Sequence, residues 1–92
     1  MKPMEERLQD AVQALRALGA RRILLFGSYA RTPRIARDVD LAVEGIPVSK
    51  LWRADGAVSD ALGVPFDLVS YEANPEFFEL IGKRAKVLYE AT

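Results

Sequence analysis

Apolar residues in the first part of the chain recur with a spacing that predicts a helix. Six of them, between residues 4 and 18, fall on one helical face: Met4, Leu8, Ala11, Val12, Leu15 and Leu18. Glu5 and Glu6 suit the N-terminal end of a helix, and Gly19 suits its C-terminal stop. We therefore predict a helix over 4–18.

The pattern then changes to short apolar runs separated by turn residues. Strands are predicted at 23–26, 38–43, 66–70 and 86–89, a short helix at 28–31, and a longer helix ending at Leu62. Ser49 is expected to cap that longer helix. Asn74 is expected to cap a last helix, with Pro75 at its first position. Phe77, Leu80 and Ile81 are expected to form the apolar face of this last helix.

Helices and strands alternate along the sequence in the order α-β-(short α)-β-α-β-α-β. This order predicts an α/β (α+β) fold with a small mixed sheet of about four strands and helices packed on it. The chain has 92 residues, half of them hydrophobic, which is enough for one modest core. We therefore expect residues 1–92 to form a single domain.

Carboxylates and a glycine turn stand at the ends of the predicted strands. Gly27-Ser28 directly follows the apolar strand at 23–26, and Asp38 and Asp40 open the next strand. Side chains alternate along a strand, so these two acids are expected to point the same way. Asp67 lies on the third strand as a further acid. Such carboxylates repel one another unless a proton or a hard cation such as Mg²⁺ lies between them.

Composition narrows the classes of function. Lys+Arg and Asp+Glu both number 13, and this zero net charge argues against binding nucleic acid through charge alone. The absence of cysteine and histidine excludes disulfides, thiolate metal sites and histidine-based catalysis. No signal peptide is recognisable, and no apolar run approaches the roughly 20 residues of a membrane span. We expect a soluble cytoplasmic protein that does not contact membranes.

The glycine turn and the three acids resemble the signature of the nucleotidyltransferase superfamily that includes DNA polymerase beta. Its pattern is Gly-Ser, a short loop, Asp-x-Asp on a strand and a third Asp on a later strand; Gly27-Ser28, Asp38, Asp40 and Asp67 fit it. Within the superfamily the chain is most similar to the minimal nucleotidyltransferases (MNT proteins). Many of these are antitoxins encoded beside a helical HEPN toxin. The resemblance covers nearly the whole chain.

The resemblance implies a catalytic role for the three acids. Asp38, Asp40 and Asp67 would hold two Mg²⁺ ions, or Mn²⁺ in their place, and ATP would be the substrate. Two such ions about 3.5–4 Å apart stabilise the attacking and leaving oxygens of an in-line displacement. Asp67 would serve the ion nearest the attacking hydroxyl. The alternative for Asp67 is an exposed acid on a half-buried strand.

The resemblance also implies a phosphate-binding role for the residues around the glycine turn. Gly27 would let the backbone approach the phosphates, Ser28 would add a hydroxyl donor, and Arg31 would pair with a phosphate or a carboxylate. Arg34 fits a solvated basic loop better than a binding role. Arg37 also belongs to this loop.

The chain departs from the family pattern at three places. Thr32 stands where relatives commonly have Gly, and Arg37 precedes the first acid where relatives commonly have Ser. Arg84-Ala85 precedes the last strand where relatives often carry Glu-Gly. We expect the first two departures to perturb the loop or to lower the affinity for metal, but no catalytic acid is lost.

The size of the chain bears on the acceptor. Larger relatives carry an extra helical domain that binds the acceptor or the base, and 92 residues leave no room for one. We therefore expect a HEPN-type partner to supply the acceptor, with AMP moving from Mg-ATP to a hydroxyl, such as that of a tyrosine, on the partner. One alternative is a binding module that neutralises the partner by steric occlusion without catalysis. Another is a stand-alone small-molecule nucleotidyltransferase. Self-association stays open.

Overall fold

A computed structural model describes residues 2–31 and 38–91 of the chain, without the Ser28 side chain. The helices are α1 (Met4–Ala17), α2 (Gly27–Arg31), α3 (Leu51–Leu62) and α4 (Pro75–Gly82). The strands are β1 (Arg22–Phe26), β2 (Val39–Glu44), β3 (Phe66–Ser70) and β4 (Lys86–Glu90). None of the helices within these residues is long and apolar enough to span a membrane.

The strands form one mixed sheet in the order β3-β2-β1-β4. β1 runs antiparallel to both of its neighbours, β2 and β4, whereas β2 and β3 are parallel. Parallel neighbours need a crossover connection, and α3 provides it. The predicted four-stranded mixed sheet with packed helices is confirmed.

Alternation along the central strands divides the hydrophobic core between the two faces of the sheet. On one face, Ile23, Leu41 and Val43 pack against buried residues of α1 and α3, among them Leu15 and Val58. This is the larger cluster, and many of its side chains are fully buried. The opposite face is covered much less, because α4 is short and is the one helix among the described residues that packs there.

The smaller cluster beneath α4 consists of Leu24, Ala42 and Phe78. Phe78 is 1 % exposed, whereas Phe77 is 40 % and Leu80 is 65 % exposed. The expectation that Phe77 and Leu80 face the core is therefore wrong; only Ile81 of the predicted face packs against this cluster. α4 has only 8 residues and carries apolar residues on both of its sides. The spacing of these residues therefore does not indicate which side is buried.

Predicted helix ends are partly confirmed. Asn74 caps α4, since its side-chain oxygen accepts a hydrogen bond from the Phe77 backbone N–H at 3.3 Å, and Pro75 occupies the first turn. Ser49 does not cap α3. It lies in a 3-10 turn, Val48–Lys50, and α3 begins after Lys50 without a side-chain cap hydrogen bond. The 3-10 turn directly precedes α3 and takes the place of a capping residue at the N-terminal end of this helix.

Because Phe78 is buried and Phe77 is partly exposed, replacing each by alanine should change the free energy of unfolding by different amounts. Phe78→Ala should lower the free energy of unfolding by about 3–5 kcal/mol, because it opens a cavity in the smaller cluster. Phe77→Ala should cost less than half as much, since this ring is already 40 % exposed. Urea denaturation of both variants measures the difference. A larger loss at position 77 would contradict the observed orientation of α4.

Candidate active site

Three residues of neighbouring strands stand side by side at one end of the sheet. Asp40 of β2 is in register with Asp67 of β3 on one side and with Phe26 of β1 on the other. Register partners point to the same face, and for these residues it is the face that carries α4. The sheet thus presents a row that runs from Asp67 through Asp40 to Phe26.

Gly27 lies directly against Asp40. Its backbone φ is +74°, and a Cβ atom at this position would collide with Asp40 Oδ2. Glycine is required for both reasons: L side chains avoid this conformation, and the carboxylate occupies the space that a side chain would need. Ser28 follows in α2, but its side chain lies outside the described residues, so its predicted phosphate contact stays a prediction.

The electrostatic environment of Asp40 disfavours its charged form. Partial burial is the largest cause of a raised pKa of Asp40, followed by the charges of Asp67 and Asp38. A side-chain hydrogen bond with Asp67 raises the pKa of Asp40 further. Two carboxylates held side by side form an arrangement that a divalent ion would stabilise.

Asp38 stands apart from this pair. It is exposed and lies in the bend before β2, which begins at Val39, so the prediction that the strand opens with Asp38 is wrong by one residue. Its charge nevertheless reaches Asp40. Within residues 2–31 and 38–91, no group of three or more His, Cys, Asp or Glu side chains is placed to hold a metal ion.

The oxygen donors of the acid pair fit a hard cation that shares its ligands with a substrate. Mg²⁺ is commonly held by one or two carboxylates, with phosphate oxygens and water completing its shell. Asp40 and Asp67 supply the two carboxylates in contact, and Asp38 adds negative charge beside them. The roles predicted for these three acids stay predictions.

A cleft adjoins the acid pair on the side of β1. It measures about 490 Å³, and its lining includes Phe26, Gly27 and the exposed Arg31, the last residue of α2. Two further cations, Lys83 and Arg84, line the same cleft from the segment between α4 and β4. The sequence pattern gives neither residue a place in the site, because nothing in it brings them near residue 27.

Part of the predicted basic loop cannot be placed. Thr32, Pro33, Arg34 and Arg37 lie outside the described residues. The solvated role expected for Arg34 and the effect expected of Arg37 on the first acid therefore stay predictions.

Comparison with known proteins places the fold. No protein-family model and no curated protein matches the sequence. A mutant of the toxin–antitoxin MntA-HpeT has a similar structure, with a TM-score of 0.73 and 22% identity over 92% of this chain and 73% of that one. A toxin–antitoxin structure with AMP-PNP is also similar, with a TM-score of 0.73 and 22% identity over 91% and 73% of the two chains.

A third similar structure is a tri-AMPylated HEPN toxin from Shewanella oneidensis in complex with its MNT antitoxin. The TM-score is 0.70 and the identity 22%, over 97% of this chain and 74% of that one. The chain therefore has the fold seen in these toxin–antitoxin complexes, and the predicted α+β fold with a small mixed sheet is confirmed.

The close fit between Gly27 and Asp40 has a matched control within the chain. Gly27→Ala and Gly63→Ala both place a side chain at positive φ, but position 63 has open space whereas position 27 meets the carboxylate. Each should cost about 1–2 kcal/mol of backbone strain. Only Gly27→Ala should also weaken Mg-ATP binding, measured by calorimetry. Equal affinity of both variants for Mg-ATP would contradict a nucleotide site at Gly27.

The raised pKa of Asp40 predicts a pH-dependent cost of folding. A carboxyl with a higher pKa in the folded than in the unfolded state favours folding while protonated, and this contribution is lost as pH rises through the folded pKa. Asp40→Asn cannot ionise, so it should be more stable than the native chain at neutral pH. The advantage should shrink as pH falls toward the ordinary aspartate value of 3.8.

Thermal denaturation across this pH range measures the effect. Asp55→Asn, at an exposed position on α3, is the matched control for the loss of one aspartate charge. If Asp40→Asn lowers the stability by the same amount at every pH, ionisation of Asp40 does not oppose folding and the prediction is contradicted.

Proposed function

We propose that the protein is an MNT-type antitoxin that transfers AMP from Mg-ATP to a hydroxyl, such as that of a tyrosine, on a HEPN-type partner. The hydroxyl oxygen bonds to the α-phosphorus, and pyrophosphate leaves. The observation that carries the proposal is the register pairing of Asp40 with Asp67 beside Gly27, at the mouth of a cleft rich in cations. The similar structures support it: one holds AMP-PNP and another contains a tri-AMPylated HEPN toxin with its MNT antitoxin.

The acids would hold divalent ions, which would neutralise negative charge on the triphosphate and on the attacking oxygen. Asp40 lies between the cleft and Asp67, so its carboxylate is suited to orient the α-phosphate. Gly27 keeps the space beside that carboxylate free of a side chain. Asp38 contributes negative charge from the bend before β2.

The acceptor hydroxyl would approach from the other side of the acid pair. Asp67 is exposed and lies on β3, an edge strand of the sheet, whereas the cleft lies toward β1 and β4. A partner at the β3 edge could therefore present a hydroxyl to Asp67 while the nucleotide enters from the opposite direction. This separation suits an in-line displacement, in which the attacking and leaving groups lie on opposite sides of the phosphorus.

A second candidate function is neutralisation of the partner by steric occlusion without catalysis. The observation that favours it is that no three acidic side chains within the described residues form a metal site by themselves. A steric antitoxin needs only its surface, whereas a transferase needs the carboxylates for turnover. The two candidates therefore differ in how they respond to loss of the acids.

The test combines the purified protein, a HEPN-type protein that copurifies with it, and Mg-ATP. Mass spectrometry should find the partner heavier by one or more AMP units. The double variant Asp40→Asn with Asp67→Asn should abolish this mass increase, because the remaining Asp38 cannot orient the triphosphate alone. Asp55→Asn is the control for a lost surface charge and should transfer AMP as the native chain does.

Loss of both mass increase and neutralisation in the double variant supports the transferase. The steric function replaces the transferase function if the partner never gains mass and the double variant neutralises the partner as well as the native protein does. Complex formation on a sizing column confirms that each variant still reaches its partner.

A further inference from the structure

We infer that Lys83 and Arg84, in the segment between α4 and β4, hold the phosphates of the nucleoside triphosphate together with Arg31, in a phosphate subsite that this segment forms with α2. The inference rests on the proposed transferase function and specifies how its substrate is bound. The reasons lie in the position of the cleft, in its charge and in its apolar floor.

The position of the cleft continues the row of the acid site. Asp67, Asp40 and Phe26 stand side by side on β3, β2 and β1, and the next strand in the sheet is β4. Phe26 and Gly27 belong both to this row and to the lining of the cleft. A ligand in the cleft therefore has one end beside the Asp40 carboxylate.

The charge of the cleft suits a polyanion. Among the described residues, its lining contains Arg31, Lys83 and Arg84 and no acidic residue. A larger cleft of about 650 Å³ along α4 has a mixed lining, in which Glu76 and Glu79 accompany its cations. The smaller cleft thus combines concentrated positive charge with proximity to the carboxylates, and its cations can form charge-assisted hydrogen bonds with phosphate oxygens.

The cations of the cleft are available for a ligand. Glu79, one helical turn before Lys83, pairs with Arg22 at 3.7 Å. The ion pairs between described residues involve Lys2, Arg21 and Arg22, and none includes Lys83 or Arg84. Binding a triphosphate would therefore break no ion pair in this part of the structure.

The floor of the cleft suits a nucleobase. Phe26, Leu80 and Ile81 line it, and Leu80 is 65 % exposed although it is large and apolar. The Phe77 ring contacts Phe26 edge to face, with ring centroids 6.4 Å apart, which fixes the orientation of the Phe26 ring. An apolar floor with a cationic rim is the combination that binds the base and the phosphates of one nucleotide.

The test is calorimetric titration of the whole chain with ATP and with AMP in the presence of Mg²⁺. The double variant Lys83→Ala with Arg84→Ala should weaken ATP binding by about tenfold or more, as expected for two lost contacts to charged groups. AMP binding should weaken much less, because AMP lacks the outer two phosphates. The matched control is Lys50→Ala with Arg53→Ala, which removes the same charge from exposed positions at the start of α3.

The outcomes separate the two proposals. If the native chain binds Mg-ATP and the Lys83/Arg84 variant binds it equally well, the subsite is overturned and the transferase function stands. If the control variant loses as much affinity for ATP, the subsite is also overturned, because the loss would then follow from the change in net charge alone. A native chain that binds neither ATP nor AMP overturns both proposals. Circular dichroism of each variant verifies that the exposed substitutions leave the fold intact.

Discussion

Parallel pairing of β2 with β3 brings two carboxylates, Asp40 and Asp67, into register on one face of the sheet. Their mutual repulsion and the partial burial of Asp40 oppose folding, so the rest of the structure must hold them in place. The crossover helix α3 does this, since it fixes the direction of β3 and packs with α1 against the opposite face. The larger core thus supports the strands from one side, which leaves the other side free for the acids.

Unequal covering of the two faces explains where chemistry can occur. α4 is only 8 residues long, and its buried Phe78 covers Leu24 and Ala42 but not the strand ends beyond them. The row of acids and the adjoining cleft occupy this uncovered end. In the proposed function, a nucleotide and an acceptor approach the same carboxylates from different directions, and the shortness of α4 leaves this end of the sheet accessible to both.

Much of the fold follows from local signals in the sequence, and the exceptions have physical causes. Strand and helix bounds agree closely with the hydrophobic pattern, because each strand has an apolar run and a turn residue beside it. Contact between Asp40 and Asp67 was predictable only through the family resemblance, since strand pairing is a tertiary property. The buried face of α4 was missed because Phe77 and Phe78 are equally apolar. The position of Lys83 in the cleft was not predicted, because the fold of the chain brings it there and its spacing in the sequence gives no sign of it.

In the proposed function, the Asp40–Asp67 pair is a metal-dependent site for a nucleoside triphosphate. The most direct measurement is anomalous diffraction from crystals of the protein grown with Mn²⁺ and AMP-PNP, because manganese identifies its own position. We expect an anomalous peak bonded to carboxylate oxygens of both Asp40 and Asp67, with the triphosphate over Gly27. Nucleotide and manganese bound elsewhere, with the contact between the two carboxylates unchanged, would contradict the claim.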